Sequence, residues 1–187
     1  EDKGSWALRS MTKSSLISFG MKPITRAENG TYIENGAVCL RQNGVVTKVL
    51  DLNDITLRGQ HNLMNVLAAV AISSAAGFPV QSIRSGIIGF AGVEHRLEIV
   101  REWRGVTWVN DSKATTPQGT LAALESFTEP IVLLLGGRDK HLPWDALASR
   151  VHQRVSHVIL FGEAAPMIGA ALGMPGNGET LKTVINA

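Results

Sequence analysis

From residue 15 to residue 58 the chain reads as short runs of alternating apolar and polar positions. "SSLISFG", "GTYIENG", "AVCLRQNGVVTKVL" and "ITLRG" are separated by Asn-Gly and Gly turns. Asn and Gly both tolerate positive φ, so Asn29-Gly30, Asn35-Gly36 and Asn43-Gly44 are hairpin signals. A small, mainly antiparallel sheet is expected. The period then lengthens. In "GQHNLMNVLAAVAISSAAG", Leu63, Val66, Leu67 and Val70 recur at helical spacing, with Gly77 and Pro79 as the stop. A second helix is expected over "VQSIRSGIIGF", and "HRLEIVREWRGVTWVND" predicts two strands joined by a tight turn at Arg104-Gly105.

Beyond that turn, strand and helix alternate. "GVTWVN" precedes a helix starting near Thr116-Pro117, "PIVLLLGG" precedes one around "PWDALASRV", and "SHVILFG" precedes "EAAPMIGAALG". Ile131–Leu135 and His157–Phe161 are continuously apolar, as expected of parallel strands covered on both faces. Successive βα units of this kind predict an α/β class, a doubly wound sheet following the first, smaller one. The boundary is expected near Ala91–Val93, giving parts 1–92 and 93–187. No internal repeat or low-complexity segment interrupts the pattern.

Length and composition narrow the classes. With 187 residues, 44% hydrophobic and 18% charged, the chain suits one large domain or two small ones. A net charge of +2 is too small to argue for nucleic acid or an anionic membrane. The single Cys39 allows no intrachain disulfide and no multi-cysteine metal site, which fits a reducing compartment. "EDKGSWALRS" lacks the apolar core of a signal peptide, and no apolar stretch approaches the roughly 20 residues of a membrane span. The chain begins without methionine and stops at "LKTVINA", inside a helical pattern, so a piece of a longer protein is expected.

Open parallel sheets bind ligands at the carboxyl ends of their strands, and four clusters stand out. In Asn110–Thr116, Asp111 can accept hydrogen bonds from sugar hydroxyls and Lys113 can neutralise phosphate. Thr115 or Thr116 can cap the next helix, with Pro117 at its first position. A plain cap on a solvated loop fits equally well. In Leu133–His141, Gly136 and Gly137 permit close backbone approach and Lys140 offers a cation, or the segment is a Gly-rich turn with exposed charges. In "GQHNLMN", His61 and Asn65 share a helix face with Asn62 one step round, suited to reading a base edge or to capping by Asn62 or Gln60. Arg96 opens a strand after the expected joint, either reaching a ligand or pairing with Glu94 or Glu98. His95 is read as structural. His141, His152 and His157 are too dispersed for a metal site, and the four tryptophans show no interleaving with basic residues. Neither G-x-x-x-x-G-K-[ST] nor G-x-G-x-x-G occurs.

The order of "GQHNLMN", "FAGVEHRLE", "NDSKATTP" and "LLLGGRDKH" closely resembles the Mur ligases of bacterial cell-wall synthesis, over almost the whole chain. In that family an Asn-bearing helix ends a central ATPase domain, and an H-R-x-E segment leads into a Rossmann-like C-terminal domain. The Asp-Ser-Lys-Ala-Thr and Leu-Gly-Gly-x-x-Lys loops resemble the branch that adds D-glutamate. Sister ligases and folylpolyglutamate synthase typically carry D-x-x-H-x-P at the first place, and no histidine follows Asp111 here.

The resemblance implies a monomeric, cytoplasmic bacterial enzyme that uses ATP and Mg2+ and has neither nucleic acid nor membrane as partner. Its substrates would be UDP-N-acetylmuramoyl-L-alanine, D-glutamate and ATP. The carboxylate is phosphorylated, and the D-glutamate amine attacks the acyl phosphate to give an amide. Position by position, the resemblance implies that Asn62 and Asn65 contact adenine or its surroundings and that Arg96 and Asp111 reach the ribose and phosphate side of ATP. Lys113 is implied as the catalytic cation, facing the reacting phosphate or the incoming amino acid. Thr115 and Lys140 are implied to hold D-glutamate carboxylate. Thr116 stands where the family often has Asn, an exchange between two good caps. No metal ligand is implied within these residues. The phosphate loop, magnesium ligands, carbamylated lysine and uridine-binding domain are expected to precede them, and a Ser- and Phe-bearing motif to follow, so the 187-residue piece alone is expected to be inactive. Two alternatives stay open: another amide ligase of the superfamily, and a noncatalytic α/β module that binds a nucleotide or amino acid.

Overall fold

The computed structural model describes residues 7–24, 28–138 and 140–173. The chain divides into two compact units, 1–91 and 92–187.

The first unit opens with a 3-10 turn, Leu8–Met11, followed by β1 (Ile17–Phe19), β2 (Asn29–Glu34), β3 (Ala37–Gln42) and β4 (Val45–Asp51). The strands lie in the order β1-β2-β3-β4; β2, β3 and β4 are antiparallel neighbours, and β1 runs parallel to β2. Two of the three Asn-Gly pairs make the hairpins. Asn35 and Gly36 have φ of 49° and 72°, and Asn43 and Gly44 have 51° and 81°, the left-handed pair that matches strand twist. Asn29-Gly30 does something else. It lies inside β2, where a Cβ on Gly30 would collide with the Ser18 carbonyl oxygen. That glycine serves close strand approach, while Asn29 Oδ1 accepts from the Asn43 N–H at 2.8 Å. "ITLRG" also departs from expectation. The Leu52 N–H donates to Gly36 O at 2.9 Å and a 3-10 turn, Leu52–Asp54, leads the chain off the sheet, so residues 55–58 form no strand.

Gly59, at φ 93°, opens α1 (Gln60–Ala75); Gly77, at φ 84°, and Pro79 separate it from α2 (Val80–Ile88). The helical spacing read from sequence produces the packing. Val66, Leu67 and Val70 are buried against Val38, Leu40, Val49, Leu50 and Ile83, with Leu63 at the margin. Each such side chain contributes about 1.5–3 kcal/mol when fully buried. Thr31, 0% exposed, donates its hydroxyl to Leu67 O at 2.7 Å, a polar pin between sheet and helix. Cys39 is buried, and desolvation, followed by the charge of Glu34, pushes its thiol pKa up. A protonated, enclosed thiol is a poor nucleophile, which removes it from the candidates for chemistry.

The second unit contains β5 (Glu98–Trp103), β6 (Val106–Asn110), α3 (Pro117–Leu124), β7 (Ile131–Gly136), α4 (Asp145–Arg154), β8 (Val155–Phe161) and α5 (Ala165–Ala171). Arg104 and Gly105, at φ 50° and 76°, join β5 to β6 as an antiparallel ribbon. The α4 crossover makes β7 and β8 parallel. Leu124, Leu135, Leu147, Val151, Val158, Leu160, Ile168 and Leu172 form one core. The α/β alternation is as expected, but among the described residues β5–β6 and β7–β8 are separate two-stranded sheets. Nor is β7 covered on both faces: Leu135 is buried while Val132 and Leu134 are 55% and 54% exposed. The core gathers on the alternate positions Ile131, Leu133 and Leu135, so the run is apolar throughout but enclosed on one side. Among the described residues no helix is long and apolar enough to cross a membrane. The helix expected at 181–187 lies outside the described residues.

Replacing Thr31 by Val keeps the shape and deletes the hydroxyl bond to Leu67. Urea denaturation is expected to register a loss of about 1 kcal/mol, with circular dichroism of the native state unaltered.

Candidate functional site

The site begins with a turn that resists its own residue types. His95 and Leu97 occupy φ of 66° and 47°, a left-handed region that costs a non-glycine residue about 1–2 kcal/mol. Hydrogen bonds hold it there. The Leu97 N–H donates to Asp111 Oδ1 at 3.1 Å, and the His95 N–H donates to Glu98 Oε2 at 2.8 Å. In the opposite direction, the Lys113 N–H donates to His95 O at 3.0 Å. Residues 95–98 are thereby buckled onto the loop that leaves β6.

Asn110, the last residue of β6, bridges the same two segments. Its Nδ2 lies 2.8 Å from His95 Nδ1 and 3.4 Å from Glu98 Oε2, while its Oδ1 accepts from the Ser112 N–H at 3.1 Å. The Ala114 N–H closes on Asp111 O at 2.8 Å and the Thr115 N–H on Lys113 O at 2.9 Å. Thr116 then caps α3: its backbone is extended, its Oγ1 accepts from the Gly119 N–H at 3.1 Å, and Pro117 takes the first helical position. Gly119 packs closely there, since a Cβ would come within 3.2 Å of Ala114. This arrangement brings Arg96, Asp111, Lys113 and Thr115 together on bonded loops. Arg96 and Lys113 are exposed, and among the described residues neither side chain makes an ion pair. Two exposed cations on bonded loops, next to the N-terminal end of α3, form an arrangement suited to a polyanion.

Lys140 belongs to a second loop, beyond β7. There the two strands touch: a Cβ on Gly136 would collide with Phe161 O. Gly137, at φ 120°, accepts at its carbonyl from the Ala164 N–H at 2.9 Å, knitting the tips of β7 and β8. Lys140 is exposed; its neighbour Asp139 lies outside the described residues.

Asn62 and Asn65 belong to α1 in the first unit. Asn62 is buried and donates to Arg58 O at 2.7 Å, while its Oδ1 accepts from Asn65 Nδ2 at 3.4 Å. Neither Asn62 nor Gln60 is the cap; Gly59 holds that position without a side-chain bond. Asn65 is exposed and lines a groove of about 600 Å³ between α1 and α2, otherwise walled by Leu57, Phe78, Ile83 and Phe90. His152 is structural, with Nε2 2.9 Å from Leu172 O. Residue type and spacing alone do not reveal the organising roles of Glu98 and Asn110. The signals were a carboxylate three residues after His95 and a carboxamide ending β6, both ordinary features until the turn geometry is known. Among the described residues no group of three or more His, Cys, Asp and Glu could hold a metal ion.

Residues 95–186 match the family described as "Mur ligase, glutamate ligase domain". The UDP-N-acetylmuramoylalanine–D-glutamate ligase of Symbiobacterium thermophilum is 40% identical over 166 residues, covering 89% of this chain and 36% of that protein. The chain thus spans about a third of such a relative's length. Among solved structures, UDP-N-acetylmuramate-alanine ligase from Thermotoga maritima aligns with a TM-score of 0.59 at 18% identity, over 86% of this chain and 38% of that one. Folylpolyglutamate synthase of Mycobacterium tuberculosis, in complex with ADP, aligns with a TM-score of 0.53 at 21% identity, over 76% and 34%. Both likenesses concern the fold.

The cap offers a direct check on the loop. Thr116→Ala is expected to cost about 1 kcal/mol in urea denaturation and Thr116→Asn no more than a few tenths, since Asn is an equally good cap.

Proposed function

From the match of residues 95–186 to a Mur ligase domain and the 40% identity to a D-glutamate ligase, we propose that the chain belongs to the Mur ligase family and forms part of an ATP-dependent ligase that joins D-glutamate to UDP-N-acetylmuramoyl-L-alanine. Residues 1–92 would end the ATP-binding domain, and 93–187 would be the Rossmann-like domain that receives the amino acid. The observation that carries this reading is the buckled pair of loops, with Arg96 and Lys113 exposed on segments joined by the Leu97–Asp111 and Lys113–His95 hydrogen bonds. It is supported by the 40% identity to a D-glutamate ligase.

The chemistry needs such an arrangement. A carboxylate oxygen is a poor leaving group, so the γ-phosphoryl group passes from ATP to that oxygen and ADP departs. The amine of D-glutamate then attacks the carbonyl carbon and gives up a proton. The bond to the phosphorylated oxygen breaks, releasing phosphate and leaving an amide. Negative charge shifts across the phosphoryl oxygens in both steps, and cations already in position stabilise it without reorganising at the moment of reaction. In this reading Lys113 faces the reacting phosphate, and Arg96 lies on the nucleotide side. Asp111 serves twice, fixing the Arg96 turn through Leu97 and contacting ribose. Thr115 and Lys140 hold the carboxylate of D-glutamate.

Asn62 spends its amide on Arg58 and Asn65, so the contact with the adenine base falls to Asn65, with Asn62 as its support. The family resemblance also implies Mg2+. The described residues offer no ligand cluster for it.

The test is phosphate release by the natural full-length chain, with each candidate amino acid supplied in turn. D-Glutamate is expected to be preferred. Lys140→Ala should raise KM for D-glutamate, and Lys113→Ala should lower kcat, each by about 10- to 100-fold, the size of a lost charge-assisted contact. Preference for another amino acid, or unchanged constants in both variants, would contradict the assignment.

A further inference from the structure

Asn110 uses both ends of its carboxamide between the two segments that carry the cations. Its Nδ2 faces His95 Nδ1 at 2.8 Å and Glu98 Oε2 at 3.4 Å, on the Arg96 side. Its Oδ1 accepts from the Ser112 N–H at 3.1 Å, on the Lys113 side. A donor at one end and an acceptor at the other, at this length, is what an Asn supplies and a carboxylate does not. Glu98 completes the device. The same Oε2 that meets Asn110 also accepts from the His95 N–H at 2.8 Å, within the left-handed turn. With Nδ2 donating, His95 Nδ1 is an acceptor, so the neutral ring carries its proton on Nε2.

We propose that Asn110, acting through Glu98 and His95, is a positioning residue that locks the Arg96 turn to the Asp111–Lys113 loop and fixes the spacing of the two cations on the phosphoryl groups. Its catalytic consequence rests on the ligase reading; its geometry rests on the hydrogen bonds alone. Backbone bonds from Leu97 and Lys113 already join the segments, but they leave the direction of each side chain to the turn between them. The Asn110–Glu98–His95 triangle sets that direction. Misplacement of a reacting group by about 1 Å can cost on the order of 100-fold in rate, so the lock is expected to act on turnover rather than on amino-acid affinity.

In the natural full-length chain, Asn110→Asp keeps the shape, removes the donors and sets a second carboxylate beside Glu98. The expected result is a fall in kcat of about 100-fold, with KM for D-glutamate within about two-fold of its original value. Nitrogen-15 spectra of the His95 ring, recorded where it is neutral, are expected to show the Nε2–H tautomer in the unsubstituted protein and Nδ1–H in Asn110→Asp. Turnover of Asn110→Asp within about two-fold of the parent would overturn the proposal. So would an Nδ1–H tautomer in the unsubstituted protein, a measurement that needs no variant to fold. If the unsubstituted chain releases no phosphate with D-glutamate, the ligase reading fails, and the His95 spectrum still decides the lock by itself.

Discussion

Two non-glycine residues held in left-handed backbone, His95 and Leu97, are the constraint on which the site depends. That conformation is uphill by itself, and it persists because Asp111 and Glu98 carboxylates accept the N–H groups it turns inward. The same bonds that stabilise the turn bring a residue from just before β5 against the loop that follows β6. An antiparallel ribbon would place those ends side by side in any case. The turn makes them one bonded unit, with Arg96 at one corner and Lys113 at the other.

The rest of the second unit supports this arrangement. The β5–β6 pairing runs from Trp103 and Val106 at the hairpin to Glu98 and Asn110 at the far end, so register alone sets Glu98 opposite Asn110. Beyond the loop, Thr116 and Pro117 start α3 without delay, and Gly119 lets the loop backbone lie against the helix. At β7 and β8 the strands approach so closely that only glycine fits at Gly136. Each feature restricts where a loop can go, and loops restricted by rigid elements are where binding and catalytic groups are placed. In the first unit the corresponding support is the seating of α1 on the sheet, which fixes the direction in which Asn65 emerges.

Much of this was legible in the sequence because local rules agreed with the fold. The strand-to-helix change of period at Gly59, the hairpins at Asn35-Gly36 and Asn43-Gly44, and the Thr116-Pro117 helix start all follow from propensities that tertiary contacts did not override. The exceptions have physical reasons. Gly30 carries the same signal as a turn glycine but answers to the proximity of Ser18, a contact between strands that no local pattern reveals. "ITLRG" has the composition of a strand, yet Leu52 bonds to Gly36 and the chain leaves the sheet. The β7 run is apolar at every position, while burial follows alternate positions, because hydrophobicity reports what can be covered rather than what is. At the site, the charged residues could be nominated from their types and positions at strand ends. Glu98 and Asn110 could not, since their importance comes from backbone angles at His95 and Leu97 that residue type gives no reason to expect.

The Arg96 turn and the Lys113 loop behave as one body. Native-state hydrogen exchange at the Leu97 and Lys113 amides tests it most directly, because each N–H reaches across the junction in the opposite direction. Both amides are expected to be protected and to open with the same free energy, as members of one cooperative unit. Exchange at unprotected rates, or protection of one amide without the other, would contradict it.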